Sequence, residues 1–250
     1  MRVLLLSDIH GNLEALEACL KAAPAYDVVA NLGDLVGYGA SPNEVVERAR
    51  GLDGLWVRGN HDKACSGISS IEDFNPVAGM AALWTRTMLT QENIAWLREL
   101  PAGPVAMKEL KNVGFVHGSP LDEDEYVLSV RGATECLQGA ESAITFFGHT
   151  HIQGGFMLED ESPSALLPRY EGGAMERFEL PLRRGARYLI NPGSVGQPRD
   201  SDWRAAFAVF DSDAPSITWF RVPYPVETAQ KRIRNAGLPE RLAARLSVGR

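Results

Sequence analysis

The chain has 250 residues, 45% of them hydrophobic and 23% charged, a balance that supports a substantial buried core and excludes disordered and fibrous classes. Its net charge of −7 argues against a nucleic-acid-coating or membrane-surface protein, which need an excess of Lys and Arg, yet permits an anionic substrate met by bound cations. Three widely spaced cysteines, Cys19, Cys65 and Cys136, make a poor disulfide framework, and neither a signal-peptide core nor a run near the roughly 18 apolar residues of a membrane helix is present, so a soluble cytoplasmic protein is expected.

Arg2 to Leu6 reads as a short apolar strand running into Ser7-Asp8-Ile9-His10-Gly11-Asn12. On an extended backbone the side chains at i and i+2 share a side, so Asp8 and His10 can face one target while Ile9 turns into the core. The competing reading makes Asp8 or Asn12 a helix cap and His10 a satisfied core residue. Leu13, Leu16, Ala18 and Leu20 recur at roughly helical spacing and stop before Pro24. Asp27 to Leu32 is a second strand leading to Gly33-Asp34. Pro42 to Arg50 is a helix, and Gly54 to Arg58 a third strand ending at Gly59-Asn60-His61-Asp62. Strands alternating with helices imply a parallel sheet with right-handed crossovers. Each strand delivers a polar cluster at its C-terminal end, where open α/β sheets place their ligands.

Residues 64 to 101 break this rhythm. Phe74, Val77, Met80, Ala81 and Trp84, then Ile94, Trp96 and Leu97, predict two helices, read either as a cap beside a site or as outer-layer helices covering the sheet. Strands are expected at Val105 to Leu110, Val113 to Val116 and Ile144 to Phe147, with a helix near Arg131 to Leu137. A meander follows over Phe156 to Leu158, Met175 to Leu180, Tyr188 to Ile190, Ala205 to Phe210 and Ile217 to Val222. A second, mostly antiparallel sheet packed on the first would accommodate it. Pro225 to Leu246 has a charged helical pattern and closes a single domain spanning 1 to 250.

The five histidines, His10, His61, His117, His149 and His151, all lie just beyond an apolar strand pattern, each with a glycine or aspartate within three residues. Ordinary core or surface histidines would be scattered, so their confinement points to a metal site. His149 and His151 repeat the two-residue spacing of Asp8 and His10. Carboxylate, amide oxygen and imidazole without thiolate suit Mn, Fe, Co, Ni or Zn.

Asp8-Ile9-His10, Gly33-Asp34, Gly59-Asn60-His61-Asp62, His117-Gly118 and Gly148-His149-Thr150-His151, in this order, resemble the five blocks of the calcineurin-like metallophosphoesterases. Asn191-Pro192-Gly193-Ser194 extends the resemblance toward the C-terminus. The resemblance implies a four-layer α/β/β/α sandwich, two mixed β-sheets packed face to face and flanked by helices. It implies two divalent transition-metal ions, with Mn favoured, one held by Asp8, His10, Asp34 and His151, the other by Asp34, Asn60, His117 and His149. Two such ions about 3.5 to 4 Å apart can share a hydroxide and clamp the attacking and leaving oxygens of an in-line displacement.

In the resembling family the histidine of the Gly-Asn-His-Asp block is not a ligand. His61 would stand by the leaving oxygen, with Asp62 orienting its ring or, alternatively, capping the next helix. Asn60, His61 and Arg199 are the expected substrate contacts. The segment Asn191 to Arg199 is read either as a phosphate or nucleoside cradle or as a turn joining two strands, and Arg58 and Lys63 are weaker candidates. The 64–101 insertion looks like that of bacterial members described as phosphodiesterases or dinucleotide polyphosphate hydrolases. The expected substrate is therefore a small phosphorylated molecule, nucleotides included, with a phosphodiester or nucleotide polyphosphate favoured over a simple monoester. A noncatalytic scaffold on the same fold, like the retromer subunit of this superfamily, is the alternative, and the presence of Asp34, Asn60 and His61 weighs against it.

Overall fold

The computed structural model describes residues 1–72 and 74–250; Asp73, inside the expected 64–101 insertion, lies outside the described residues. Strand β1 (Arg2–Leu6) is apolar on both faces because both are covered. Leu4 and Leu6 face a core shared with helices, while Val3 and Leu5 face a core between two sheets.

On one side β1 pairs in parallel with β2 (Val28–Asn31), and β2 with β3 (Gly54–Trp56). The crossovers are α1 (Leu13–Ala22) and α2 (Pro42–Arg50). Asn12 caps α1 by accepting the Ala15 N–H at 3.1 Å, and Pro42 opens α2, where its missing N–H costs nothing. On the other side β1 pairs antiparallel with β10 (Ala205–Asp211), followed by β11 (Ser216–Val222) and β8 (Glu176–Pro181). The second sheet orders β4 (Val113–Phe115), β5 (Ile144–Phe146), β9 (Arg187–Asn191), β6 (Gly154–Glu159) and β7 (Ser162–Leu166). Its first three strands are parallel and its last two are antiparallel additions.

Phe115, Phe146, Tyr188 and Ile190 of the second sheet interlock with Val3, Leu5, Phe210 and Trp219 of the first. The Trp219 indole N–H, fully buried there, donates to the Asn191 carbonyl at 2.9 Å, the partner a buried indole needs. Helix α6 (Val130–Gly139) covers the outside of the second sheet through Ala133, Cys136 and Leu137. The outside of the first is covered by α1, α2, α4 (Pro76–Met88), α5 (Gln91–Glu99), α7 (Val226–Asn235) and α8 (Glu240–Ala244). The short helix α3 (Asn60–Ser66) begins directly at the end of the first sheet. The architecture is a four-layer α/β/β/α sandwich of two mixed sheets. No helix among the described residues is long and apolar enough to cross a membrane.

Three sequence readings change. The strand-rich second half does not make a sheet of its own, because β8, β10 and β11 complete the first sheet. The strand expected at Val105 to Leu110 shrinks to one bridge between Val105 and Phe115: Pro104 offers no donor to a ladder, and Leu110 turns back to bond the Met107 carbonyl at 3.1 Å. Strand β7 went unforeseen because Ser162-Pro163-Ser164 carries little apolar pattern; it is a largely exposed edge strand, where proline is tolerated.

Candidate metal centre

The loops leaving β1 and β2 are zipped together by backbone bonds from Asp8 to Gly33 (3.0 Å), His10 to Asp34 (2.9 Å) and Gly11 to Leu35 (2.8 Å). Asp8, His10, Asp34, His149 and His151 have φ of +53°, +49°, +57°, +64° and +59°. A left-handed backbone costs a residue with a Cβ roughly 1 to 2 kcal/mol, and such strain concentrates at functional sites. Asp8 and His10 therefore do share a side, but through these turns and not through strand alternation, since β1 stops at Leu6. His149 and His151, expected to turn together, diverge toward two neighbouring points.

Those points are defined by two buried donor groups, Asp8, His10, Asp34 and His151 in one and Asp34, His117 and His149 in the other, the donor atoms of each lying within 4.8 Å of one another. Asp34 belongs to both. Its Oδ2 is 3.5 Å from His10 Nε2 and 3.5 Å from His117 Nε2. Asn60 Oδ1 joins the second group, 3.2 Å from His117 Nε2. The ring nitrogens Nδ1 of His10, His117 and His151 face the carbonyls of Val36 (3.0 Å), Leu32 (2.7 Å) and Gln197 (2.6 Å). A carbonyl only accepts, so each Nδ1 carries the proton and each Nε2 presents a bare lone pair. His10 Nε2 and His151 Nε2 stand 3.2 Å apart, two acceptors with no hydrogen between them. Asp8 Oδ1 and His149 Nε2 are buried without any partner. Converging acceptors of this kind are satisfied by a cation, and the donor set fits divalent transition metals.

Burial pushes Asp8 up to about 7, and burial reinforced by Asp62 holds Asp34 well above the usual carboxylate range. Burial also keeps His10, His149 and His151 well below the usual imidazole range, hence neutral and ready to coordinate. Cation binding must therefore displace protons from the carboxyls and not from these three imidazoles. Because the raised carboxyls are protonated at low pH, affinity is expected to rise from pH 6 to 8.5, by up to about tenfold per pH unit for each proton displaced. Calorimetric Mn²⁺ titrations in buffers of different ionisation enthalpy check this. More protons should be released per chain at pH 6 than at pH 8.5, and an affinity that falls with rising pH would refute the assignment.

His61 lies beside these groups but in neither. Its ring is packed by Tyr38 (centroids 4.4 Å), Phe74 (4.7 Å) and, edge-on, His10 (4.9 Å). Asp62 does not orient it. The Asp62 carboxylate accepts the N–H groups of Asp34 (2.8 Å), Gly59 (2.9 Å) and Val36 (3.2 Å), while His61 Nδ1 is buried and unpartnered. The N3 position of α3 places Asp62 where it reaches back to the helix start, so it fixes the Asp34 loop and not the His61 ring. Arg199 reaches the centre beside Tyr38, its Nη2 3.4 Å from the Tyr38 hydroxyl and its Nε buried without a partner. Arg58 and Lys63 are tied to Glu123 and Asp124.

The segment 191–199 is the turn between β9 and β10, and it also buckles the site together. Val195 and Gly196 donate to the carbonyls of Ser7 (2.9 Å) and Asp8 (3.0 Å), Asn191 Nδ2 to that of Gly148 (2.8 Å), and Arg199 N–H to that of His151 (3.1 Å). Side-chain and backbone bonds from one loop thus hold the turns carrying Asp8, His149 and His151.

Residues 1–214 match the model of the calcineurin-like phosphoesterase superfamily domain. The chain belongs to this superfamily. A metallophosphoesterase from Sphaerobacter thermophilus is 39% identical, with 100% of this chain and 99% of that one covered and a TM-score of 0.84. An uncharacterized protein of Methanocaldococcus jannaschii is 37% identical over 250 residues, covering 99% and 98% of the two chains. A hypothetical protein of Pyrococcus horikoshii OT3, at 21% identity, TM-score 0.78 and coverage of 100% and 98%, shares the fold. This metallophosphoesterase is a metal-binding hydrolase of phosphoesters.

The phosphoesterase site also contains residues that the motifs did not flag. Tyr126 stacks on His149 with centroids 3.7 Å apart, and Tyr38 stands 4.7 Å from the His10 ring. Tyr38 follows Asp34 by four residues and was open to detection as a motif neighbour. Tyr126 sits in an acidic loop without periodicity, and nothing in the sequence aims it at a histidine.

Proposed function

We propose that the chain is a dinuclear metal-dependent phosphoesterase that hydrolyses a small phosphorylated substrate, favouring a phosphodiester or nucleotide polyphosphate over a simple monoester. The observation that supports it most is the sharing of Asp34 by two buried donor groups. When bound, two divalent ions, with Mn favoured, supply an activated water and positive charge for the phosphoryl oxygens. Asp8, His10, Asp34 and His151 would hold one ion and Asp34, Asn60, His117 and His149 the other. Asn60 and Arg199 bind phosphoryl oxygens, and the unpartnered Arg199 Nε suits a charged acceptor. His61 stands by the leaving oxygen and stabilises or protonates it.

Preference for an organic leaving group is supported by a cleft of about 400 Å³ that opens from Asn60 and His61 and passes Phe74 and Tyr126. The 64–101 segment acts as a cap through Ser69, Ser70, Phe74 and Asn75, which wall this cleft, while α4 and α5 pack into the outer layer. The free, buried cysteines fit a reducing cytoplasm. A panel of a phosphomonoester, a phosphodiester and diadenosine tetraphosphate, assayed with added Mn²⁺, tests the reading. Faster turnover of a phosphate ester bearing a large organic leaving group is expected, and a strong preference for the monoester would reject it.

A further inference from the structure

Three bases stand near the donor groups, and they are held in different ways. Arg58 and Lys63 are balanced by Glu123 and Asp124, with contacts of 2.5 to 3.1 Å. Among the described residues the acceptors of Arg199 are neutral instead. Its Nη2 donates to Gln197 Oε1 at 3.2 Å and to the Tyr38 hydroxyl at 3.4 Å, and the Tyr126 hydroxyl meets the same guanidinium. A guanidinium has only donors, so both hydroxyls accept from it, while Nε stays buried and unpartnered. The charge is thereby fixed without being cancelled. It is felt by Asp8 and His151 of one donor group and by His149 of the other, which puts it over both. Divalent ions in those groups would repel a cation so placed, and fixed acceptors are what keep it there.

Each tyrosine is braced against an imidazole of a different donor group, Tyr38 against His10 with centroids 4.7 Å apart and Tyr126 against His149 at 3.7 Å. Tyr38 is buried and holds a left-handed backbone at φ +61°. For a bulky side chain that conformation is an outlier, and it persists only where the surroundings over-determine it. The turn is pinned by the Gly39 N–H donating to the His10 carbonyl at 2.9 Å. The Arg199 guanidinium carbon also stands 5.8 Å from the centre of the Tyr38 ring, within cation–π reach. We infer that Tyr38 and Tyr126 are positioning residues whose hydroxyls hold Arg199, its charge uncancelled, over the two donor groups, where it takes an oxygen of the phosphoryl group. The inference rests on the proposed role of Arg199 and adds to it the two side chains that aim it.

The test is a double-mutant cycle read in the calorimetric binding of inorganic phosphate to the Mn²⁺-loaded protein, which needs no turnover. Tyr38→Phe and Tyr126→Phe keep the rings and remove only the hydroxyls. Each is expected to weaken phosphate binding by about tenfold, the loss of one hydrogen bond to a charged group, with metal content and thermal midpoint unchanged. In an Arg199→Gln background the same substitutions should alter phosphate affinity by less than about twofold. Equal losses in both backgrounds would mean that the hydroxyls act independently of Arg199 and would overturn the inference, as would a wild type that binds no phosphate. If Arg199→Gln does not fold, the single variants decide: a tenfold loss with both metals retained supports the inference, and an affinity within about twofold of wild type, or a loss that follows departed metal, overturns it. Turnover of bis(4-nitrophenyl) phosphate, followed in parallel, separates the two levels. Hydrolysis with an uncoupled cycle removes the inference alone, whereas a coupled cycle in a protein that hydrolyses no ester keeps the inference and removes the phosphoesterase reading.

Discussion

Asp34→Ala is expected to lose bound metal and hydrolytic activity together. Asp34 is the residue common to both donor groups, and its Oδ2 is equally distant from a histidine of each. Its other oxygen accepts the His61 N–H at 2.8 Å, so one carboxylate joins both proposed metal positions and the backbone of the proposed leaving-group histidine. Without it, the second position keeps no carboxylate and the first keeps only Asp8, so the anionic charge that offsets the cations' desolvation is lost from one and halved in the other. A metal ion lowers the pKa of bound water from about 15.7 to about 7. Forfeiting that activation should cost at least about four orders of magnitude in kcat. Elemental analysis and turnover, measured on the same preparation, check the prediction. A variant that keeps two metals per chain, or that loses metal but not rate, would contradict the shared role.

His61→Ala should separate those two properties. The ring contributes to neither donor group, so both ions should remain while the rate falls by about 10² to 10⁴, the range for a positioned acid or base, or roughly 3 to 5 kcal/mol in barrier. The ring is locked between Tyr38 and Phe74, and Gly37 leaves room for it: a Cβ there would stand 2.5 Å from His61 Nδ1. Removing a buried ring also opens a cavity, so a thermal melt should accompany the assay. The discriminating result is metal content. One ion or none in a folded variant would make His61 a ligand.

The candidate ligand residues were legible because their chemistry forces unusual placement. Five histidines just beyond strand patterns, three of them beside a glycine, are hard to produce by core packing alone, and the structure gathers His10, His117, His149 and His151 around Asp34. The backbone reason was not legible: the positive φ of Asp8 and His10 is a tertiary consequence of zipping to the β2 loop, and strand alternation gave the right side for the wrong cause. Helices with clear caps and periods, such as Pro42 to Arg50, emerged with their expected bounds. Strand partnership did not, because β10 and β11 carry apolar residues on both faces and pattern alone does not say which sheet receives them.

Asp62 shows the same limit at the scale of one residue. Its position beside His61 suggested a ring partner, yet the helix beginning at Asn60 turns its carboxylate toward three backbone N–H groups. Tyr126 is the converse, distant in sequence and stacked on the ring of His149. Long-range loop packing decides both, and neither leaves a periodic trace.

The most direct measurement is the number of Mn²⁺ ions bound per chain after reconstitution of the wild-type protein at pH 8, where the carboxyls give up their protons most readily. Two ions per chain, falling away together in Asp34→Ala, is the expected result. A single ion at saturation, or two ions that survive the loss of Asp34, would contradict a centre built on one shared carboxylate.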